Sequence, residues 1–372
     1  MAAGYSLKDD LFNRTTVSRL GQEFEDGGVF EAAPFVDAVM AGLAPLELKE
    51  RIAWIAEVLA DFLPRDFPDG AAAIQAALPP PLDPTLTDDD FGHFIHAPLG
   101  VFVERHGITQ HVALSLDLLE AITQRFSMEF SIRAFLNAHE AATLERMRDW
   151  VVSDNYHVRR LVSEGTRPRL PWGQKVGLTS AQTLPLLDQL HADQARFVTR
   201  SVSNHLNDIS KVDPETVVDR LAKWQSAGRQ EVKELDWMRR HTLRGLIKAG
   251  HAGAMAHLGY DANVDVSVRD FKVSPTAVEL GGKVEVVASF TTPKDAPMIV
   301  DYVIDFVKAN GSTAPKTSKW KVLEAKGGTS VTLKKSHVFK ANATTFKLYP
   351  GKHRISLQIN GRQVASCEVA LI

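Results

Sequence analysis

With 372 residues, 44% of them hydrophobic and 24% charged, the chain has the composition of a globular protein large enough for two or three domains. Its single cysteine, Cys367, excludes an internal disulfide and a cysteine metal cluster and suits a reducing cytoplasm. No apolar run reaches the ~18–20 residues of a membrane helix, so no membrane association is expected. The net charge of −2 is unevenly spread: residues 1–120 sum to −13, 121–250 to +5 and 251–372 to +6. The later two-thirds therefore permit a polyanionic partner without requiring one.

The chain opens on MAAGYSLKDDLF, which has no apolar stretch of signal-peptide type. From about residue 5 to 260 apolar residues recur at helical spacing, as in Leu116, Leu119, Ile122, Phe126 and in Val217, Leu221, Trp224. The second stripe follows Asp213-Pro214, a helix start with proline in the first turn. Helices of 10 to 18 residues with short connections are expected, broken at Pro79-Pro80-Pro81 and around Pro168 and Pro171. A weak internal repeat relates Phe135-Leu136-Asn137-Ala138, followed by Trp150, to His205-Leu206-Asn207-Asp208, followed by Trp224. Helix pairs in related register predict an all-α, HEAT-like superhelical solenoid, whose concave face suits a long rod-like ligand. On this evidence a protein-binding scaffold is as well supported as a nucleic-acid binder.

After Gly259 the period changes from 3.6 to 2. Strands are predicted at Lys283 to Phe290, Met298 to Val307, Ser330 to Leu333, His353 to Ile359 and Val364 to Ile372. Asn360-Gly361 between the last two is a two-residue hairpin signal. Leu348, Pro350, Gly351 and His353 resemble the corner before strand F of an immunoglobulin-like sandwich, with His353 where tyrosine is usual. The expected architecture is therefore multidomain: a helical-repeat domain over residues 1–264 and an all-β immunoglobulin-like sandwich over 265–372. Cys367 alternates with apolar neighbours and reads as a buried strand residue.

The stretch Ser153 to Gly173, SDNYHVRRLVSEGTRPRLPWG, resembles the alkylpurine glycosylases of the AlkC/AlkD superfamily, and the AlkC branch in particular. The segments SVSNHLNDISKVDPETVV (Ser201 to Val218), WMRRHTLRGLIKAGH (Trp237 to His251) and LKDDLFNRTTVSRL near the start carry the same likeness, which runs over most of residues 5–260. Some members of that branch have a C-terminal Ig-like domain. The resemblance implies a monofunctional DNA glycosylase of base excision repair. It would hydrolyse the N-glycosidic bond of cationic lesions such as 3-methyladenine and 3-methylcytosine in double-stranded DNA, without flipping the base into a pocket. It also implies a bacterial cytoplasmic enzyme working at the nucleoid. A monomer is expected, since one concave groove suffices for one duplex.

The chemistry is consistent with that reading. A methyl group at N3 makes the base cationic and a good leaving group, so the enzyme has to stabilise an oxocarbenium-like sugar and deliver a water. Carboxylates near the anomeric carbon and an aromatic face against the sugar meet that need. Carried over residue by residue, the resemblance implies Glu129, Glu164, Trp172 and Asp208 as catalytic. Glu164 and Asp208 would face the sugar cation and position water, Glu129 would assist, and Trp172 would pack on the deoxyribose or base edge. Read without the resemblance, Glu129 is a surface glutamate between apolar neighbours. Glu164 sits at a helix end, where a carboxylate opposes the macrodipole. Asp208 shares a helix face with Asn204, and Trp172 lies in a Pro-Trp-Gly turn off any apolar stripe.

Arg159, Arg160, Arg167 and Arg169 surround Glu164, while Arg240, Arg244 and Lys248 form one helical stripe. With Lys334 and Lys335 of the sandwich they are the expected DNA contacts, since phosphates supply most non-specific affinity. The plainer reading is solvated faces with intrahelical pairs. The 13 histidines contain no HxxxH or HExxH pair, no Gly-rich phosphate loop occurs, and no lysine is marked as a Schiff-base nucleophile. Neither metal nor cofactor is expected. A catalytically silent HEAT-repeat DNA-binding protein or a protein-interaction scaffold remains the alternative.

Overall fold

The computed structural model describes residues 6–88, 90–341 and 347–372. Helices follow one another as α1 (Leu7–Leu11), α2 (Arg14–Asp26), α3 (Ala32–Leu43), α4 (Leu48–Phe62), α5 (Phe67–Ala77), a 3-10 turn (Phe94–His96), α6 (Ala97–Gly107), α7 (Val112–Thr123), α8 (Ile132–Ala138), α9 (Glu140–Trp150), α10 (Tyr156–Gly165), α11 (Ser180–Leu190), α12 (Arg196–Ile209), α13 (Pro214–Ala227), α14 (Val232–Ala249) and α15 (Ala252–His257). Strands then run β1 (Ser267–Ser274), β2 (Ala277–Val278), β3 (Lys283–Thr291), β4 (Ala296–Val307), β5 (Thr313–Ala325), β6 (Val331–Val338), β7 (Gly351–Ile359) and β8 (Arg362–Leu371). The all-α array followed by an immunoglobulin-like sandwich is thus present as expected. The chain divides into two compact units, one running to Ile209 and including Ala227–Met238, the other comprising Ser210–Ser226 and Arg239–Ile372. None of the described helices is long and apolar enough to cross a membrane.

Within the first unit the helix starts carry side-chain caps that spare otherwise unpaired backbone N–H groups. Asn13 accepts from Thr15 and Thr16 at α2, and Asn155 accepts from His157 and Val158 at α10. Helices α10 and α12 pack directly on each other. Their amphipathic faces bury Tyr156, Val158, Leu161 and Val162 against Val198, Val202 and Leu206. Gly165 ends α10 without a side chain because a Cβ there would lie 2.6 Å from Ile132 of α8. Of the two tryptophans of the internal repeat, Trp150 ends α9 in this unit at 2% exposure and Trp224 lies on α13 in the other unit at 3%.

Two buried histidines of this unit make its stability depend on pH. Burial lowers both His157 and His205 from the ordinary imidazole value to about 4. The Nδ1–H of His205 donates to the Ser163 carbonyl at 3.0 Å, which settles the neutral tautomer. A folded-state pKa below the unfolded one means stability is complete above pH ~6.5 and is lost as pH falls toward 4. Each pH unit in that window costs up to about 1.4 kcal/mol per histidine. Calorimetric melts at pH 7, 6 and 5 are expected to show a falling Tm, and a Tm unchanged between pH 7 and 5 would contradict this account.

In the second unit the strands form a three-stranded sheet in the order β1-β3-β6 and a five-stranded sheet in the order β2-β8-β7-β4-β5. Inward residues of both sheets, among them Val284 and Val286 of β3, Ile304 of β4, Ile355 of β7 and Val369 of β8, make a common core. The Asn360-Gly361 turn is present, both residues having positive φ. Ile359 pairs with Arg362 across it, the two-residue hairpin geometry. The corner residue His353 is fully buried, receives the Val307 N–H on Nδ1 and donates from Nε2 to the Tyr349 carbonyl. It does with an imidazole what a corner tyrosine does with a hydroxyl. Cys367 is half-buried on β8 opposite Ile355, and burial pushes its thiol up to about 11.

Three strands, β1, β2 and β5, have no counterpart among the predicted ones, and β5 is the longest. β5 is an edge strand with Lys316, Lys319 and Lys321 among exposed and half-buried neighbours. Its inward side rests Trp320, Leu323 and Ala325 on the core, but the register shift in its pairing with β4 breaks the alternation, and lysines on the edge discourage edge-to-edge pairing.

Candidate functional site

Glu129, Glu164 and Asp208 are 35 and 44 residues apart in sequence, yet the first unit brings them into one cluster with two arginines. Arg167 bridges two of the acids, its Nη1 2.6 Å from Glu164 Oε1 and its Nε 3.0 Å from Asp208 Oδ2. Arg160 pairs closely with Glu129 and lies 3.6 Å from the other oxygen of Glu164. The Ser201 hydroxyl donates to Glu164 Oε2 at 2.6 Å. Ser127 donates to Glu129 at 2.9 Å and receives Arg160 at 2.7 Å. The Glu164 and Asp208 side chains are only 6% and 2% exposed.

Three carboxylates stand against Arg160 and Arg167, with the buried Arg133 guanidinium near enough to act on all three acids. Burial by itself would raise the Glu164 carboxyl. Arg160 and Arg167, together with the Ser201 and Arg167 hydrogen bonds, outweigh it and hold the group below the usual carboxylate range. Arg160 is itself sandwiched, its guanidinium 4.6 Å from the Phe197 ring centroid. These contacts also resolve the awkward position of Glu164 at the carboxyl end of α10: the macrodipole opposes it, and two arginines compensate.

Trp172 stands in the connection after α10. It has φ +65° and a side chain 57% exposed. A bulky residue in the left-handed region persists only when its surroundings enforce it. Here Lys49 Nζ donates to the Trp172 carbonyl at 2.8 Å, and Gly173 N–H closes a turn on Leu170 O. The main restraint is Arg133, 1% exposed. It donates to the carbonyls of Gly165 (2.8 Å), Arg167 (2.9 Å) and Gln174. One guanidinium thereby ties both ends of the segment that carries Arg167, Arg169 and Trp172.

The expected phosphate contacts fall into distinct environments. Arg159 is paired with Asp193, and Arg160 and Arg167 are committed to the carboxylates just described. Arg169 is exposed beside them. Arg240, Arg244 and Lys248 lie on α14 in the second unit, Arg240 reaching Tyr260 and Arg244 the His241 carbonyl. Lys334 and Lys335 sit on β6 with opposite orientations, Lys334 exposed at 4.0 Å from Glu285.

Sequence reading missed Arg133, Ser201 and Ser127. The signals were faint: Arg133 interrupts an apolar stripe between Ile132 and Phe135, and Ser201 precedes Asp208 by seven residues, two helical turns on one face. A cavity of about 220 Å³ also opens in this unit, lined in part by Phe94, Glu104, Phe126, Met128, Ser131 and Trp172.

Residues 121–246 match a family described as DNA alkylation repair enzyme, and residues 267–372 match one described as the C-terminal Ig-like domain of the uncharacterised protein YhaZ. Along 359 residues the chain is 30% identical to the Uncharacterized protein YhaZ of Bacillus subtilis strain 168, covering 95% of this chain and 96% of that protein. A solved structure, the Pseudomonas fluorescens alkylpurine DNA glycosylase AlkC bound to DNA containing an abasic site analog, superposes with a TM-score of 0.87. It is 31% identical, over 99% of this chain and all of that one.

Proposed function

Because the chain belongs to the DNA alkylation repair enzyme family, in the branch of AlkC and YhaZ with a C-terminal Ig-like domain, we propose that it is a monofunctional DNA glycosylase acting on cationic N-alkylated bases such as 3-methyladenine and 3-methylcytosine. The observation that carries this reading is the buried Glu129–Arg160–Glu164–Arg167–Asp208 cluster beside an exposed, backbone-strained Trp172. The N-glycosidic bond breaks with its electron pair going to the base, which leaves uncharged. Positive charge stays on the sugar, where the carboxylates of the cluster stabilise it. At ~4 Å and an effective dielectric near 20, one such charge is worth about 4 kcal/mol, roughly a thousandfold in rate. Water then adds to the anomeric carbon and gives its proton to the cluster.

Trp172 supplies an apolar face for the deoxyribose. Its exposure supports action on a lesion that stays outside any deep pocket, without base flipping. Arg169, Arg240, Arg244, Lys248, Lys334 and Lys335 are the proposed phosphate contacts. Arg159, Arg160 and Arg167 act through the acids they hold. Residues 1–264 form the proposed glycosylase domain and 265–372 the accessory one, in a cytoplasmic monomer working on the chromosome.

The test is base release. Genomic DNA treated with a methylating agent is incubated with the protein and free bases are quantified. Release of 3-methyladenine and 3-methylcytosine, leaving unbroken abasic sites, is expected. Binding to the same DNA with no release would make the protein a silent DNA binder. Neither binding nor release would leave a protein-interaction scaffold.

A further inference from the structure

We propose that the cavity lined by Phe94, Glu104, Phe126, Met128, Phe130 and Ser131 is a binding site for the free methylated base, the neutral heterocycle that the reaction releases. This rests on the glycosylase reading above. The cavity measures about 220 Å³, the space of roughly seven waters and the scale of one purine or pyrimidine. Its walls come from four places in the chain: Ile52 and Ala53 of α4, Phe94 of the 3-10 turn with Ala97 and Val101 of α6, the turn around Phe126 and Ser131, and the segment that starts at Trp172. Aromatic faces of this kind stack on any base without reading its sequence.

The polar content is sparse and specific, as in small-molecule sites generally. The Glu104 carboxyl hydrogen-bonds Ser131. Burial raises it to about 7, with the Ser131 bond and Arg105 pulling the other way. A carboxylic acid offers a donor and an acceptor in one plane, which matches the ring nitrogen and amino group on one edge of an aminopurine or aminopyrimidine. The charged groups around it are few: Arg105 on its own helix and Lys49 from α4, whose ammonium is engaged by the Trp172 carbonyl. His106, two residues on from Glu104 in α6, is lowered from the ordinary imidazole value by partial burial and by Arg105.

The cavity adjoins the carboxylate cluster. Ser127 lines it and also hydrogen-bonds both Glu129 and Arg160, and Trp172 lines it too. A base freed at the cluster therefore meets an apolar, base-sized space bounded by residues of the cluster itself. Holding the base there removes the leaving group while water adds to the sugar.

The test uses the full chain without DNA and titrates free 3-methyladenine by calorimetry between pH 6.5 and 8.5. Saturable one-site binding is expected, weakening as pH rises through 7 because an ionised carboxylate cannot donate. Glu104→Met is expected to weaken binding at least tenfold. Glu104→Gln, whose amide keeps a donor and an acceptor, is expected to bind with no pH dependence, which keeps the test open should the methionine variant not fold. Absence of saturable binding by a protein that releases bases from methylated DNA would overturn this site and leave the glycosylase standing. Binding untouched by Glu104→Met and by Phe126→Ala would place the base elsewhere and overturn it as well.

Discussion

Replacing Glu164 by Gln together with Asp208 by Asn is expected to lower base release from methylated DNA by at least about a thousandfold. The amides are nearly isosteric, so the cluster keeps its shape while it loses two negative charges. A sugar cation then meets repulsion in place of stabilisation. Arg167 loses both of its charged partners and Arg160 one of its two. The variant is therefore expected to melt earlier, by the few kcal/mol that an unpaired buried charge costs, ~3–5. Affinity for DNA carrying an abasic site analog is expected to persist, because removing negative charge does not hinder a polyanion. Quantified base release, a melt and a binding isotherm on the same preparation separate these effects. Release within tenfold of the parent chain would show that the chemistry is done by other groups.

The second large effect is expected at Arg133, whose charge acts on all three acids while its hydrogen bonds go to backbone carbonyls. Arg133→Met removes the three donors that hold the carbonyls of Gly165, Arg167 and Gln174. Each buried carbonyl left without a partner costs ~1–3 kcal/mol, so a stability loss of about 3 kcal/mol or more is expected in denaturant melts. Trp172 sits at φ +65° only because its segment is tied at both ends, and without the tie the backbone relaxes and the ring leaves its place. Displacements of ~1 Å at an oriented site cost on the order of a hundredfold in rate. A split between kcat and KM checks the mechanism: kcat is expected to fall by about a hundredfold, with KM for methylated DNA little changed. A variant that is destabilised yet keeps its full kcat would make Arg133 purely structural. Gly173 makes the same point from the other side, since a Cβ there would press to 3.2 Å from the Arg133 side chain.

The sandwich and the helical array were legible for a common reason. Period 3.6 up to α15 and period 2 from β1 are local properties of the chain, written by which face of each element is buried. The Asn360-Gly361 turn and the corner at His353 were legible because each depends on a few adjacent residues with special backbone or hydrogen-bonding needs. Glu164 and Asp208 came from long ungapped motifs and Glu129 from the resemblance alone, and the structure sets all three around two shared arginines.

What only the tertiary structure decided is where the positive charges point. In sequence, Arg159, Arg160 and Arg167 look like any basic run beside a groove, because a guanidinium has the same letter whether it meets a phosphate or a buried carboxylate. The choice depends on partners 31 to 41 residues away in the chain, beyond the reach of any helical period. Arg133 and Glu104 stayed hidden for the same reason: one charged residue on an apolar stripe does not reveal which carbonyls or which cavity lie opposite. Strand β5 escaped because the register shift opposite Val300 and Asp301 interrupts its period of two on a largely solvated, lysine-bearing edge. Local periodicity determined the elements, and packing between distant segments determined the site.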